Sequence, residues 1–215
     1  MLVCRRFAAV GFALLAFVGA PAHAQSGRPA DVAAAFFGAL ERHDWTKAAA
    51  LVHPGAVERF RRATLIGLVE WAERDSAEPG LPPGWHRART GVDSAALRRA
   101  AAAPAPVLRG VQTVGDIAAL PAPELLVRYL EASFGAFHPD ITRRVVGSVV
   151  ESDSIAHVLF RTRWGPGTRE GNPWRVDVLQ LQRAGGTWRV LESGLLPGLG
   201  LRGLLEQAEQ SRHAR

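Results

Sequence analysis

His157 and Asp177 are the residues of this 215-residue sequence best suited to acid–base work. An imidazole and a carboxylate within hydrogen-bond reach can pass a proton between them. Each stands in a stretch that alternates, Ile155 to Trp164 and Trp174 to Arg183. Alternation of this kind predicts strands. In the first stretch Ala156, Val158, Phe160, Thr162 and Trp164 share a face, and His157 falls on the other with Ile155, Leu159, Arg161 and Arg163. In the second, Trp174, Val176 and Val178 share a face, and Asp177 falls opposite with Arg175 and Arg183. Both candidates are therefore expected on the side away from the core, in cross-strand charge pairs, without a catalytic role. Leu179 and Leu181 keep Asp177's parity, so a bulge could reverse the second assignment.

Other chemistries lack their parts. His43, His53, His86, His138, His157 and His213 are scattered, with neither i, i+4 spacing nor a nearby Cys, so no metal set is expected. Ser133, Ser148, Ser154 and Ser193 have no Gly-x-Ser-x-Gly context. Gly194 to Gly200 follows a strand-like segment but contains no Lys-Ser/Thr for a phosphate loop. Trp164 and Trp174 flank a Gly/Pro loop, where core packing and a binding rim are both uses of an indole. No catalytic residue is assigned, no cofactor is expected, and the ligand-binding residues are unknown.

The N-terminus reads as an address. Arg5-Arg6, the apolar run Phe7 to Ala20 and the small-x-small Ala22-His23-Ala24 form a signal-peptide pattern over residues 1–24. The run is shorter than the roughly 20 apolar residues of a span. The expected product is periplasmic or secreted, soluble, and without a membrane span after cleavage. It also loses Cys4, the sole cysteine, so packing alone must hold it. The formal charge of +6 becomes +4 without Arg5 and Arg6. The remaining arginines are spread along the chain rather than gathered in a basic patch, which argues against nucleic acid.

Residues 25–28 form a linker, and residues 29–215 are expected to make one domain. Val32, Phe36, Ala39 and Leu40 give a helical stripe after Pro29. Asp44 can cap a second helix, Trp45 to Val52, which Pro54-Gly55 stops. A third helix starts near Ala56, with Val57, Phe60, Thr64, Leu68 and Trp71 along one face. Asp75 to Val92 reads as loop. Asp93 or Ser94 caps a short helix ending near Ala103, and Val107 to Val114 reads as a strand or extended segment. Asp116 to Leu120 is one helical turn, and Pro123 to Phe134 a clearer helix. Strands follow over Val145 to Val150, Ile155 to Trp164, Trp174 to Arg183 and Thr187 to Glu192, then a terminal helix over Leu201 to Gln210. Ala184-Gly185-Gly186 supplies the hairpin between the last two strands. Helices first and antiparallel strands after is an α+β order, with the sheet covered on one side.

Two segments carry a resemblance. Phe36 to Arg62 has an apolar helix, an acidic break before Trp45, a small helix and Leu51-Val52-His53-Pro54. Leu179 to Val190 has a strand, a glycine turn and Gly-Thr-Trp-Arg-Val. Together they resemble the NTF2-like superfamily, the conical fold also seen in ketosteroid isomerases and SnoaL-type cyclases. The resemblance implies a curved antiparallel sheet covered by the N-terminal helices, with residues 63–140 as an extended helical middle. It implies three kinds of function. The first is binding of a small apolar ligand or a partner protein without catalysis. The second is a small isomerase- or cyclase-type enzyme using the same conical pocket. The third is an interaction module pairing through the sheet's exposed face, a homodimer included. The early-helix Tyr of the isomerase pattern has no counterpart, because Tyr129, the sole tyrosine, lies on a later helix.

Overall fold

In the computed structural model, residues 27–73, 91–105, 107–135, 141–163 and 174–193 are described. The leader pattern, the Pro/Gly-rich loop, Trp164 and the terminal helix expected over Leu201 to Gln210 lie outside them. Six helices and four strands are found among the described residues, in the expected order of helices before strands.

Helix α1 spans Pro29–Glu41 and begins with proline, whose missing N–H costs nothing in a first turn. Ala33, Phe36, Phe37 and Leu40 recur at helical spacing and are buried. Helix α2, Trp45–Ala50, is capped as expected: the Asp44 carboxylate accepts from the Lys47 N–H at 3.0 Å. Helix α3 covers Pro54–Ala72, so Pro54 opens this helix rather than merely ending the one before it. His53 is its cap, with Nδ1 accepting from the Gly55 N–H at 3.0 Å. Val57, Thr64 and Leu68 are buried along the predicted face, with Phe60 and Trp71 packed against the core.

The middle segment adds α4 (Ser94–Ala100), α5 (Val114–Ala119) and α6 (Ala122–Gly135). The strand expected over Val107 to Val114 is not formed. That stretch is turns, held by a single bridge between Pro104 and Thr113 and by an Ala105 N–H to Gln112 carbonyl bond of 2.7 Å. Val114 instead opens α5, because Thr113 and Asp116 close a capping box in front of it. The Thr113 hydroxyl, followed by the backbone N–H groups of Thr113 and Gln112, holds the Asp116 carboxyl below its ordinary pKa. Arg61 of α3 donates to the carbonyls of Ala118 (2.9 Å) and Leu120 (3.3 Å), which satisfies the C-terminal end of α5.

The strands β1 (Thr142–Val150), β2 (Ile155–Arg163), β3 (Arg175–Ala184) and β4 (Thr187–Ser193) form one antiparallel sheet in chain order. Gly185 and Gly186, with φ of 57° and 80°, make the β3–β4 hairpin that the Gly-Gly pair predicts. Helix α1 packs on β1, β2 and β4, and α6 forms a second layer against α2 and α3. The α2–α3 junction is stitched to the edge strand. The Val190 N–H donates to the Leu51 carbonyl (2.9 Å), and the His53 N–H donates to the Val190 carbonyl (2.7 Å). Arg189 adds a bond to the Ala50 carbonyl. The core therefore lies between one face of the sheet and the helices.

Candidate functional site: two faces of one sheet

Register fixes which side chains share a face. Phe160 of β2 stands opposite Val145 of β1 and Asp177 of β3. Val158 stands opposite Leu179, and Ala156 opposite Leu181. All of these point toward the helices. Ala156, Val158, Leu179 and Leu181 are fully buried, and Phe160 packs on Phe37 of α1 with ring centroids 4.6 Å apart. The covered face is thus filled by the chain's own side chains along its central rows.

His157 lies where its parity predicts, on the open face, opposite Val149 and Gln180. Its Nε2 is 2.6 Å from Glu151 Oε2, a hydrogen bond at the sheet surface. Asp177 does not follow the expectation. It is on the covered face, and Val176 and Val178, read from the sequence as core-facing, are about half exposed on the open one. The cause is register: antiparallel pairing of Val158 with Leu179 forces the odd-numbered residues of β3 inward. The reversal anticipated there needs no bulge within Arg175 to Gln180, since pairing with β2 runs through it without a shift. His157 and Asp177 consequently occupy opposite faces and share no proton path.

Asp177 is half-buried near the start of β3. The Arg175 Nε donates to its Oδ1 at 3.1 Å. Arg143, Thr162 and Arg175 form the last cross-strand row there. The Arg143 N–H donates to Glu41 Oε1 at 3.0 Å, and its guanidinium lies 6.0 Å from the Phe134 ring centre. Burial pulls the Arg143 pKa down from its ordinary value, and the nearby Glu41 carboxylate opposes that shift. Arg143 Nε and Thr162 Oγ1 are both buried without a hydrogen-bond partner. Both atoms are closed off from solvent, so the row as it stands is a packed polar rim.

Tyr129, on α6, is buried against Phe60, with ring centroids 4.9 Å apart. Burial raises its pKa, and the Ser133 hydroxyl beside it offsets part of the rise. It belongs to the helical layer rather than to a strand-borne site. His43 stacks on Trp45 at 5.1 Å, and His53 is spent as a helix cap. Ser148 and Ser154 are exposed on β1 and in the β1–β2 turn. No group of three or more metal-ligating side chains occurs among the described residues. No helix among them is long and apolar enough to cross a membrane.

The open face holds Val176 and Val178, which sequence parity assigned to the core, together with three further apolar side chains. Val146, Val149, Val176 and Val178 are each at least 50% exposed, and Leu159 stands between them at 37%. Gly147 is opposite Leu159, and Leu159 is opposite Val178, so these residues form one patch across three strands. Val146 joins it as the extra residue of a bulge between Val145 and Gly147. A signal for this patch exists in the sequence: Val145-Val146 is an adjacent apolar pair, and an alternating strand can bury only one member of it. No protein-family model matches the chain, and no curated protein or solved structure matches it either.

Proposed function

We propose that this chain is an exported NTF2-like domain that works without catalysis, by docking a protein on the open face of its sheet. The observation that carries the reading is the exposed cluster of Val146, Val149, Leu159, Val176 and Val178. Single exposed apolar residues are ordinary, whereas contiguous ones mark interaction surfaces. β-branched residues also suit a flat sheet-to-sheet contact, in which their stiff side chains lose little rotamer freedom. The NTF2-like part of the proposal draws support from the helices-then-sheet order and the single covered face. The export part draws on Arg5-Arg6, the apolar run and Ala22-His23-Ala24. The small-ligand reading gains less, because the central rows of the covered face are filled by Phe160, Leu179 and Leu181. The enzyme reading gains little from Asp177, which is engaged by Arg175.

A photo-reactive phenylalanine placed at Val178 in the full chain tests the docking face. On irradiation in cells, a protein adduct is expected at several times the yield seen from the same group at Arg98, an exposed position on α4. Equal yields at the two positions would remove the docking assignment. Mass spectrometry of the exported product tests the leader independently. A chain beginning at Gln25 is expected, and one that keeps Phe7 to Ala20 refutes the export assignment.

A further inference from the structure

The two edges of the sheet differ. The outer edge of β4 is fastened: Val190 exchanges main-chain hydrogen bonds with Leu51 and His53, and Arg189 reaches the Ala50 carbonyl. Along β1, nine residues long, no strand among the described residues pairs with the outer edge. Register shows which main-chain groups face outward there. The Glu151 N–H donates to the Ile155 carbonyl at 3.0 Å, so Gly147 and Val149, in the same phase, turn theirs toward β2. The N–H and C=O groups of Ser148 and Val150 therefore point away from the sheet. Glu41 takes the outward N–H of Arg143, which leaves Val145, Ser148 and Val150 as the open ladder. Neither face of this stretch is covered. Val149, on the open face, is 60% exposed, and Val150, opposite Ala156 on the helix side, is 56% exposed. Toward the start of β1, Arg144 stands directly opposite Arg161, with Arg163 two positions along. All three are exposed and lack an ion-pair partner among the described residues. Like charges directly across two strands repel, so an acidic group arriving there is favoured.

We infer that the outer edge of β1 is a strand acceptor for an extended segment of another protein, apolar where it meets Val149 and Val150 and acidic where it meets Arg144. The inference goes beyond the docking reading above, because it stands on main-chain groups at the edge and not on the side chains of the open face. Affinity comes from the ladder, and the side chains at its two ends supply the selection. An added strand lies about 4.8 Å from β1, so its β-branched residues cover Val149 on one face and Val150 on the other. An open apolar edge of this kind is what proteins otherwise guard. Antiparallel entry places the apolar residues first along the incoming segment and the acidic ones after them, beside Arg144, Arg161 and Arg163. A second copy's β1 fits less well. Two-fold pairing about the middle of the strand sets the bulge at Val146 against its own copy, whereas a free segment adapts to it.

Fluorescence anisotropy with a labelled peptide, Val-Ile-Thr-Val-Thr-Glu-Thr-Glu, provides the test on the full chain. The wild type is expected to bind it about tenfold or more tightly than the same peptide with both Glu replaced by Lys. Ser148→Pro removes one outward N–H and no bond to β2, and proline is tolerated at such an edge position. It should abolish binding with circular dichroism and thermal midpoint unchanged, while Ser148→Ala binds as the wild type does. Arg144→Glu, which needs no backbone change, should reverse the order of the two peptides. Val178→Glu, two strands away on the open face, should leave peptide binding as it is. A wild type that binds neither peptide overturns the proposal, as does equal affinity for the two. Binding that survives Ser148→Pro, or an Arg144→Glu chain that keeps the wild-type order, overturns it as well. Loss of binding in Val178→Glu would place the peptide on the face and end the edge assignment while the docking reading stands. A wild-type dimer in sedimentation velocity that Ser148→Pro turns into monomer would give the edge to a second copy and refute the other-protein assignment.

Discussion

Trp188→Ala lowers stability by about 3–5 kcal/mol, the range for emptying a large core site. For a chain of this size each kcal/mol is worth roughly 2–4 °C, so the thermal midpoint should fall by about 10 °C. Trp188 is buried on the covered side of β4 beside Val190, as its same-face spacing predicts. Val190 is itself bridged to Val52 at the α2–α3 junction. The indole thus fills space at the place where the edge strand is fastened to the helices. Arg183, directly opposite on β3, lays its guanidinium 4.9 Å from the Trp188 ring centre. That contact is exposed and worth about 0.5–1 kcal/mol. Arg183→Ala is therefore the control. If the two variants cost the same, Trp188 is held by the cation above it rather than by the core. A midpoint that does not move for Trp188→Ala would put the indole at the surface.

What the sequence made legible follows from where local chemistry is decisive. Asp44 and the Gly185-Gly186 turn act on their immediate neighbours, so their roles needed no tertiary information. Helical stripes were equally clear, because α1 and α3 bury one face against a single layer. Val107 to Val114 misleads because β-branched residues favour a strand only where a neighbouring strand exists to pair with. Here the nearest backbone offers one bridge, and Thr113 is better used closing a capping box. The exposed patch was hidden for a different reason. Apolar content alone marks a core, and the open face breaks that rule with five apolar side chains. Only the register of β3 on β2 reveals which set of apolar residues is covered.

That register also sets the sharpest contrast in the molecule. Leu181→Ala should cost about 2–5 kcal/mol, whereas Val178→Ala should change stability by no more than about 0.5 kcal/mol. The two residues lie on the same strand, three positions apart, and the sequence assigned the core to the wrong one. Parity in β3 is ambiguous because its apolar residues switch phase between Val178 and Leu179. Val176 and Val178 belong to one set and Leu179 and Leu181 to the other. The charges seemed to decide it, since Arg175, Asp177 and Arg183 share parity with the leucines. Yet those three stand toward the ends of the strand, at the rim and beside the hairpin, where a long or charged side chain reaches solvent past the edge of the helical layer. Leu179 and Leu181 occupy the middle, opposite Val158 and Ala156, where no such escape exists. Each leucine is fully buried, so its truncation leaves a cavity lined by neighbours already close-packed. Val178 has water on one side, and losing its methyl groups leaves none. Guanidinium denaturation of the two single variants measures both values on one scale. A larger loss for Val178→Ala than for Leu181→Ala would mean that β3 is shifted by one residue, with the valines inside.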